Sequence, residues 1–431
     1  MIKWGVLATS KKIRAVTQGG LYVVAVVGLL YLYFSASYCT TAKPAIGSQG
    51  KNVVLDKSGV DQSYVLLSSY AVLKDDSSQG VVYLTDLFGK AVHTWKTKYQ
   101  TRFAILKKNG DLLVALLEPA NPSKFPGGGR FGIIQELDWE GNILWEYKNE
   151  MMHHDFELLP NGNLAIIIWE KVPPEIAKKI KGGVPNTEFR GEIWSDAIRE
   201  IDRSGKTVWE WHGYEHLKAE SDLIAYLAPR AEWMHTGSIK YVEKNPIDFT
   251  EAFLLSMPNI NTVAIVRKSD GEIIWKSPRP MFAGQHNALL TPGNTIIVFD
   301  NLYRRPGHSL VIGSRVVEIN PITNKIVWEL DGGKQGTEKA RFAPPILNGA
   351  ERLSNGNTFV FESTRGHLFE VTPDKKLVWD FINPYEAPST GPWKNNVIFR
   401  AARYGMGEIE WPERIASPLP KLPLLCQRMG L

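Results

Sequence analysis

Cysteine is nearly absent from this 431-residue chain. Two residues, Cys39 and Cys426, provide no disulfide framework on which a fold could hang. An excess of charge of one sign is missing as well. Fifty basic and 45 acidic residues leave +5, and the basic residues form no stripe, which excludes a reader of nucleic-acid backbone. Long uncharged runs are confined to one place near the N-terminus. Fourteen tryptophans, 26 prolines and 37 glycines describe a turn-rich chain with large aromatic residues in its strands, the composition of an all-β protein.

The single uncharged run, GGLYVVAVVGLLYLYFSASY over residues 19–38, is about 20 residues long. At ~1.5 Å per residue a helix of that length crosses a ~30 Å hydrocarbon layer. Lys3, Lys11, Lys12 and Arg14 precede it and only Lys43 closely follows, so the charge bias keeps residues 1–18 in the cytoplasm and sends the rest outward. The expectation is a single-pass inner-membrane protein whose bulk is periplasmic. A cleaved signal peptide competes, because SASYC resembles a processing region, but Tyr38 is bulky where a small residue is wanted. A bridge between Cys39 and Cys426, and lipidation of Cys39, both stay open. Residues 39–60 read as a linker and 407–431 as a Pro-rich tail.

Between them, two patterns recur. A turn residue followed by a short alternation ends in tryptophan in GKAVHTW (Trp95), GNILW (Trp145), GKTVW (Trp209), GEIIW (Trp275), NKIVW (Trp328) and DKKLVW (Trp379). These six copies are separated by 50, 64, 66, 53 and 51 residues. Interleaved with them, KKNGDLLVAL, LPNGNLAIII, TPGNTIIVF and LSNGNTFVF each open from a glycine turn into a β-branched run, a strong hairpin signal. Two hairpins per ~50 residues amount to four short strands per repeat, the period of a propeller blade. The reading is a six-bladed β-propeller over residues 61–406, preceded by a transmembrane helix, with the tryptophans packing between blades. The third repeat lacks the Asn-Gly turn, and its LKAESDLIAYLAP reads as a helical insertion. Residues 172–191 read as a loop-and-helix excursion. Insertions on one face of a repeat array often border its binding face.

Three of the nine histidines stand at comparable places in successive repeats: His154 in HHDFELLPNGN, His235 in WMHTGSI and His286 in GQHNALL. Each follows a Trp hairpin and precedes an apolar strand, the start of a strand that would line the channel. Any one of them alone reads as a solvated loop histidine; three at equivalent positions point to convergence at the channel mouth.

At these residues the chain resembles the arylsulfotransferase family, the PAPS-independent bacterial enzymes. The strings that carry the resemblance are HHDFELLPNGN, WMHTGSI with LLSMPNINTVAIV, GQHNALLTPGNTIIVFDN, SRVVEINPITNKIVWEL and GAERLSNGNTFVFESTRGHLFEVTPDKKLVWDFINPY, over roughly residues 80–385. The resemblance implies an exported six-bladed propeller that moves a sulfuryl group from one phenolic sulfate to another phenol through a sulfohistidine. His286 lies in the string matched to the nucleophile, with His235 and His154 beside it, and neither metal nor nucleotide cofactor is required. A neutral imidazole attacking sulfur splits one hard transfer into two, and nearby donors stabilise charge on the sulfuryl oxygens. One departure stands out. Where the family pattern carries arginine, in a string like LLSSRN, this chain reads LLSMPN, so Met257 or Pro258 replaces a bidentate guanidinium. Arg304, Arg305, Arg315, Arg352 and Arg365 are the candidates to bind the sulfate instead.

Two other readings compete. A non-catalytic propeller with the same channel face, binding a ligand or a protein partner, is favoured by the missing arginine. A metal site made by the three histidines, with Asp155 as an extra ligand, is disfavoured by their wide spacing. A quinone-dependent dehydrogenase is set aside, because its docking motifs and a vicinal cysteine pair are lacking.

Overall fold

A computed structural model describes residues 53–73, 76–117, 124–302, 304, 314–332, 347–385 and 396–412. The apolar run 19–38, both cysteines and Arg305 lie outside them. Among the described residues no helix is long and apolar enough to cross a membrane.

After a two-residue strand β1 (Val53–Val54), the chain lays down β2 (Ser63–Leu73), β3 (Asp76–Thr85) and β4 (Ala91–Thr97). The second sheet holds β5 (Gln100–Leu106), β6 (Leu112–Leu117), β7 (Ile133–Leu137) and β8 (Ile143–Lys148). The third begins with β9 (Met152–Leu158) and β10 (Leu164–Lys171). It is interrupted by β11 (Gly182–Val184), then completed by β12 (Trp194–Ile201) and β13 (Thr207–His212). A further short strand, β14 (Ile224–Pro229), pairs in parallel with β11. The fourth sheet is β15 (Ser238–Val242), β16 (Ala252–Met257), β17 (Thr262–Arg267) and β18 (Ile273–Lys276). The fifth is β19 (His286–Leu290), β20 (Ile296–Asp300), β21 (Arg315–Asn320) and β22 (Lys325–Asp331). The sixth is β23 (Asn348–Arg352), β24 (Thr358–Glu362), β25 (His367–Val371) and β26 (Leu377–Ile382), with β1 added to its outer edge. The last strand, β27 (Ile398–Gly405), returns to pair with β2 and becomes the inner strand of the first sheet.

These six four-stranded antiparallel sheets are the six blades expected, and the first and last of the described segments close the ring. Val53 and Val54, in the segment read as a linker, pair with Asp380 and Trp379 of β26. Trp411, in the segment read as a tail, packs its ring 4.6 Å from that of Tyr64.

A blade is pressed on both faces by its neighbours, so its middle strands bury both sets of side chains and read as continuous apolar runs. The residues of β16 and β20 are buried throughout, whereas β8 on the outside is exposed or half-exposed along its length. The Asn-Gly hairpins of the sequence are the turns between first and second strands. The repeated tryptophans sit on the outermost strands, and their indole N–H groups clasp the next blade. Trp95 donates to Asp138 O, Trp145 to Arg203 O, Trp275 to Asn324 Oδ1, Trp328 to Pro373 O and Trp379 to Leu87 O, at 2.7–3.1 Å. The last of these joins the sixth blade to the first. In the third blade the clasp is Trp211, bonded to Gly271 O at 2.9 Å, and not the Trp209 of the sequence repeat; Trp209 packs instead on Phe253. Trp145→Phe keeps an aromatic ring and removes the donor. It is expected to cost about 1 kcal/mol in urea unfolding, the net worth of one hydrogen bond.

The excursion at 172–191 contains one helical turn, Pro174–Ala177, followed by β11. LKAESDLIAYLAP is not helical: its second half is β14, because pairing with β11 overrides the helix preference of its Ala, Leu and Lys. In each blade the inner strand begins, and the second strand ends, at the same end of the channel. Both insertions, which follow β10 and β13, therefore belong to that end.

Candidate active site

The three motif histidines all lie at the beginning of inner strands, in the third, fourth and fifth blades. His154 is the third residue of β9, His235 lies three residues before β15, and His286 opens β19. His154 and His235 adopt left-handed backbone (φ 56° and 54°), as does Asn287 (φ 46°), a conformation that costs non-glycine residues and that the surrounding contacts must enforce. The imidazoles of His154 and His235 meet edge to face with centroids 4.4 Å apart. His286 is electrostatically coupled to both.

His286 is buried. Its Nδ1 faces two acceptors, Asn301 Oδ1 at 2.9 Å and Gly284 O at 3.1 Å. A carbonyl oxygen only accepts, so Nδ1 carries the proton and Nε2 keeps the lone pair. Burial, and after it the neighbouring His235, pull the imidazole down to about 4 despite the bond donated to Asn301, with Arg304 adding to the effect. The ring is neutral across the physiological range.

Each of the other two histidines is held from behind. His235 Nδ1 donates to Glu232 Oε2 at 2.6 Å, and the other carboxylate oxygen accepts Trp169 Nε1–H at 2.7 Å. Trp169 also stacks on His153, 4.3 Å between centroids, and His153 Nδ1 lies 2.8 Å from His154 Nδ1. Against these rings lies the glycine run of PGGGR. A Cβ on Gly129 would stand 2.4 Å from His154 Nε2, and one on Gly128 would touch His235 Cε1 at 3.6 Å. Only glycine lets this loop approach so closely.

The arginine question resolves locally. β16 ends at Met257, and Pro258–Ile260 form a single 3₁₀ turn. Pro258 flanks the same point as His286: a Cβ on Gly237 would be 3.7 Å from His286 Cδ2 and 3.9 Å from Pro258 Cγ. Arg304, from the loop after β20 in the next blade, donates through Nη1 to Asn259 Oδ1 at 2.5 Å, one residue beyond Pro258. A buried guanidinium is thereby delivered beside the turn where the family string carries its own. The other described candidates are engaged elsewhere. Arg315 is bonded to Asp300, Glu329 and Met281 O; Arg352 to Glu318, Thr358 and Gly356 O; Arg365 contacts Glu362 at 3.5 Å.

Asp155 is not a ligand in waiting. Its carboxylate accepts from Arg400 Nη1 (2.7 Å), Ile239 N (3.1 Å) and Phe156 N (3.0 Å), which ties the third blade to the first and fourth. Among the described residues no group of three His, Cys, Asp or Glu is arranged to hold a metal ion. Sequence reasoning did not single out Glu232, Asp196, Asn259, Asn301 or Trp169 as site residues. No short motif marks them.

A sequence profile of the arylsulfotransferase (ASST) family matches residues 106–384. The chain belongs to the arylsulfotransferase family. No curated protein matches it by overall sequence search. Solved structures similar to it include a protein of unknown function from Bacteroides caccae, 13% identical with a TM-score of 0.43, covering 74% of this chain and 94% of that one. Another is a catalytically inactive virginiamycin B lyase from Staphylococcus aureus with quinupristin, 12% identical, TM-score 0.40, covering 78% and 88%. A third is the WD40 propeller domain of Doa1, 10% identical, TM-score 0.40, covering 75% and 86%. In this family member, the three motif histidines and the buried Arg304 share one end of the propeller channel.

Proposed function

We propose that this arylsulfotransferase-family propeller transfers a sulfuryl group from an aryl sulfate to a phenol through a sulfohistidine at His286. The observation that carries the reading is the His286 ring itself: Nδ1 is fixed as a donor by Gly284 O and Asn301 Oδ1, which leaves Nε2 as a neutral, unprotonated nucleophile. Nε2 attacks sulfur, the S–O bond to the phenol breaks, and the electron pair leaves on the phenolate oxygen. A second phenol then attacks the N–S bond and restores His286. Arg304 supplies positive charge, and His235 and His154 supply N–H donors, to the sulfuryl oxygens and the leaving oxygen.

We further propose that residues 19–38 anchor the chain in the inner membrane with the propeller on the periplasmic side, a reading supported by the cluster of Lys3, Lys11, Lys12 and Arg14 before the apolar run. Proteolysis from the outer side of spheroplasts is expected to digest the propeller; protection equal to that of a cytoplasmic marker overturns this topology.

The absence of arginine at Met257 and Pro258 favours a second reading, a binding module that holds aryl sulfates without turnover. Against it, the Arg304–Asn259 contact supports the transfer reading, since it brings a guanidinium from the neighbouring blade to this turn. Arg304→Lys keeps the charge and loses the fork. It is expected to raise the KM for the aryl sulfate donor by ~10-fold, as loss of one charge-assisted hydrogen bond would. Release of a chromogenic phenol with ping-pong dependence on donor and acceptor supports transfer; binding without release by the full chain supports the module.

A further inference from the structure

His154 poses a difficulty for acid–base chemistry. Burial, then the charges of His235, His153, His286 and Arg400, hold its imidazole well below the usual range, so it is a poor place for a positive charge. Yet a phenolate leaving at this end needs a proton, and an incoming phenol must lose one. What lies behind His154 supplies the answer.

His153, the other histidine of HHDFELLPNGN, is fully buried and takes no part in the transfer as described above. Its Nδ1 is 2.8 Å from His154 Nδ1, and its Nε2 is 3.3 Å from Asp196 Oδ1 on β12. At that separation the two atoms face each other as an ion-pair contact and not as a hydrogen bond, and neither has a hydrogen-bond partner among the described residues. The second oxygen of Asp196 accepts Thr236 N at 2.6 Å, next to His235. Burial opposes ionisation of Asp196, but His153 and Thr236 outweigh it and keep the carboxyl below its usual value. The groups facing this chain of atoms are His235, His286 and Arg400 around His154, and Glu170, itself bonded to His212, near Asp196.

We propose that His153 and Asp196 form a proton store behind His154, which lets His154 give and take a proton at Nε2 without ever carrying the charge. The inference rests on the sulfuryl-transfer reading for its use, but the store itself is a property of the resting protein. Two arrangements satisfy every contact. In the emptied pair, His153 Nε2–H points at Asp196, His154 Nδ1–H donates to His153 Nδ1, and His154 Nε2 is bare. In the filled pair, both nitrogens of His153 carry protons, His154 Nδ1 accepts, and His154 Nε2 carries a proton.

The protons balance over one cycle. Starting filled, His286 Nε2 forms the bond to sulfur, and the departing phenolate takes the proton from His154 Nε2 while His154 Nδ1 regains one from His153. The pair is now emptied and the enzyme sulfated. As the acceptor phenol attacks sulfur, its O–H proton passes to His154 Nε2, and the Nδ1 proton returns to His153. His154 is neutral at each stage, and the charge resides on His153 against the Asp196 carboxylate. His153 and Asp196 act through His154 and are positioning residues.

The decisive measurement uses the full chain with ¹⁵N-labelled histidine. A nitrogen–nitrogen coupling across the hydrogen bond between the two Nδ1 atoms is expected, and Asp196→Asn should change the proton's sharing between them. Absence of the coupling in the wild-type protein overturns the proposal, whether or not transfer is observed. The kinetic test compares phenyl sulfates of graded leaving-group basicity. For His153→Gln and Asp196→Asn, the loss of kcat should grow with the pKa of the departing phenol, from a few-fold for nitrophenol to ~10²-fold or more for phenol, the usual reach of a general acid. A merely structural role predicts an equal loss with every donor, and that result also overturns the proposal. Wild-type protein that shows the coupling but no turnover rejects the transfer reading and leaves the paired histidines established.

Discussion

His286→Ala is expected to lower aryl sulfate turnover by ~10³-fold or more, because removing a covalent nucleophile removes the pathway and not one of its stabilising contacts. The geometry makes the prediction sharp. His286 is held with its Nδ1 proton between Gly284 O and Asn301 Oδ1, so Nε2 is the basic nitrogen before substrate arrives. With its imidazole lowered to about 4, the ring stays neutral from pH 8 down to pH 5, and the nucleophile is lost only as pH falls through about 4. A rate limb between pH 5 and 8 must therefore come from another group. The check is release of the chromogenic phenol together with mass analysis of the enzyme after exposure to donor alone. Wild-type protein should gain one sulfuryl group on His286, and His286→Ala none. Turnover by His286→Ala within tenfold of wild type would remove His286 from the role of nucleophile.

The fold was legible because its signals are local. An Asn-Gly turn before a β-branched run and a tryptophan at the end of an outer strand each need only a few residues, and each recurred at blade spacing. What failed was decided at a distance. Trp209 and Trp211 are two residues apart on one face of β13, and which of them reaches the next blade depends on the turn at Gly271, 60 residues on. LKAESDLIAYLAP contains good helix formers, but Ile224 N bonds Lys181 O, and a strand from an earlier insertion recruits it. The site shows the same division. His154, His235 and His286 were visible because repeats place them alike. Asp196 and Asn301 were not, since each arrives from another strand or loop to meet a histidine elsewhere, and Glu232, only three residues before His235, stands in no motif that marks it. Five arginines were equal candidates in the sequence. An ion pair within its own blade occupies Arg315 and one to the fifth blade occupies Arg352, while a loop crossing to Asn259 brings Arg304 beside the turn after β16.

Glu370→Ala is expected to destabilise the whole propeller by ~3 to 5 kcal/mol, the cost of stranding a buried charge. Arg403 lies on β27, the strand that closes the ring, and is 5% exposed. Burial pulls its guanidinium below the usual value, and Glu370, Asp61 and Glu351 push back. Its Nε donates to Ser63 Oγ and Nη2 to Asp61 O, both at 2.7 Å, while Nη1 lies 3.1 Å from Glu370 Oε2 in the sixth blade. The other oxygen of Glu370 accepts from Asp61 N (2.8 Å) and Asn357 Nδ2 (2.6 Å), and Trp379 covers the guanidinium at 5.0 Å. Removal of the carboxylate leaves the buried cation with only the more distant Asp61 carboxylate, at 3.8 Å, as an ion-pair partner, and two donors without their acceptor. Replacing both partners by leucine removes the stranded charge as well, so the double variant should recover a large part of the loss in urea unfolding followed by tryptophan fluorescence. A cost below about 1 kcal/mol for Glu370→Ala would mean that the ring is closed by the β2–β27 ladder and the Trp379 clasp alone.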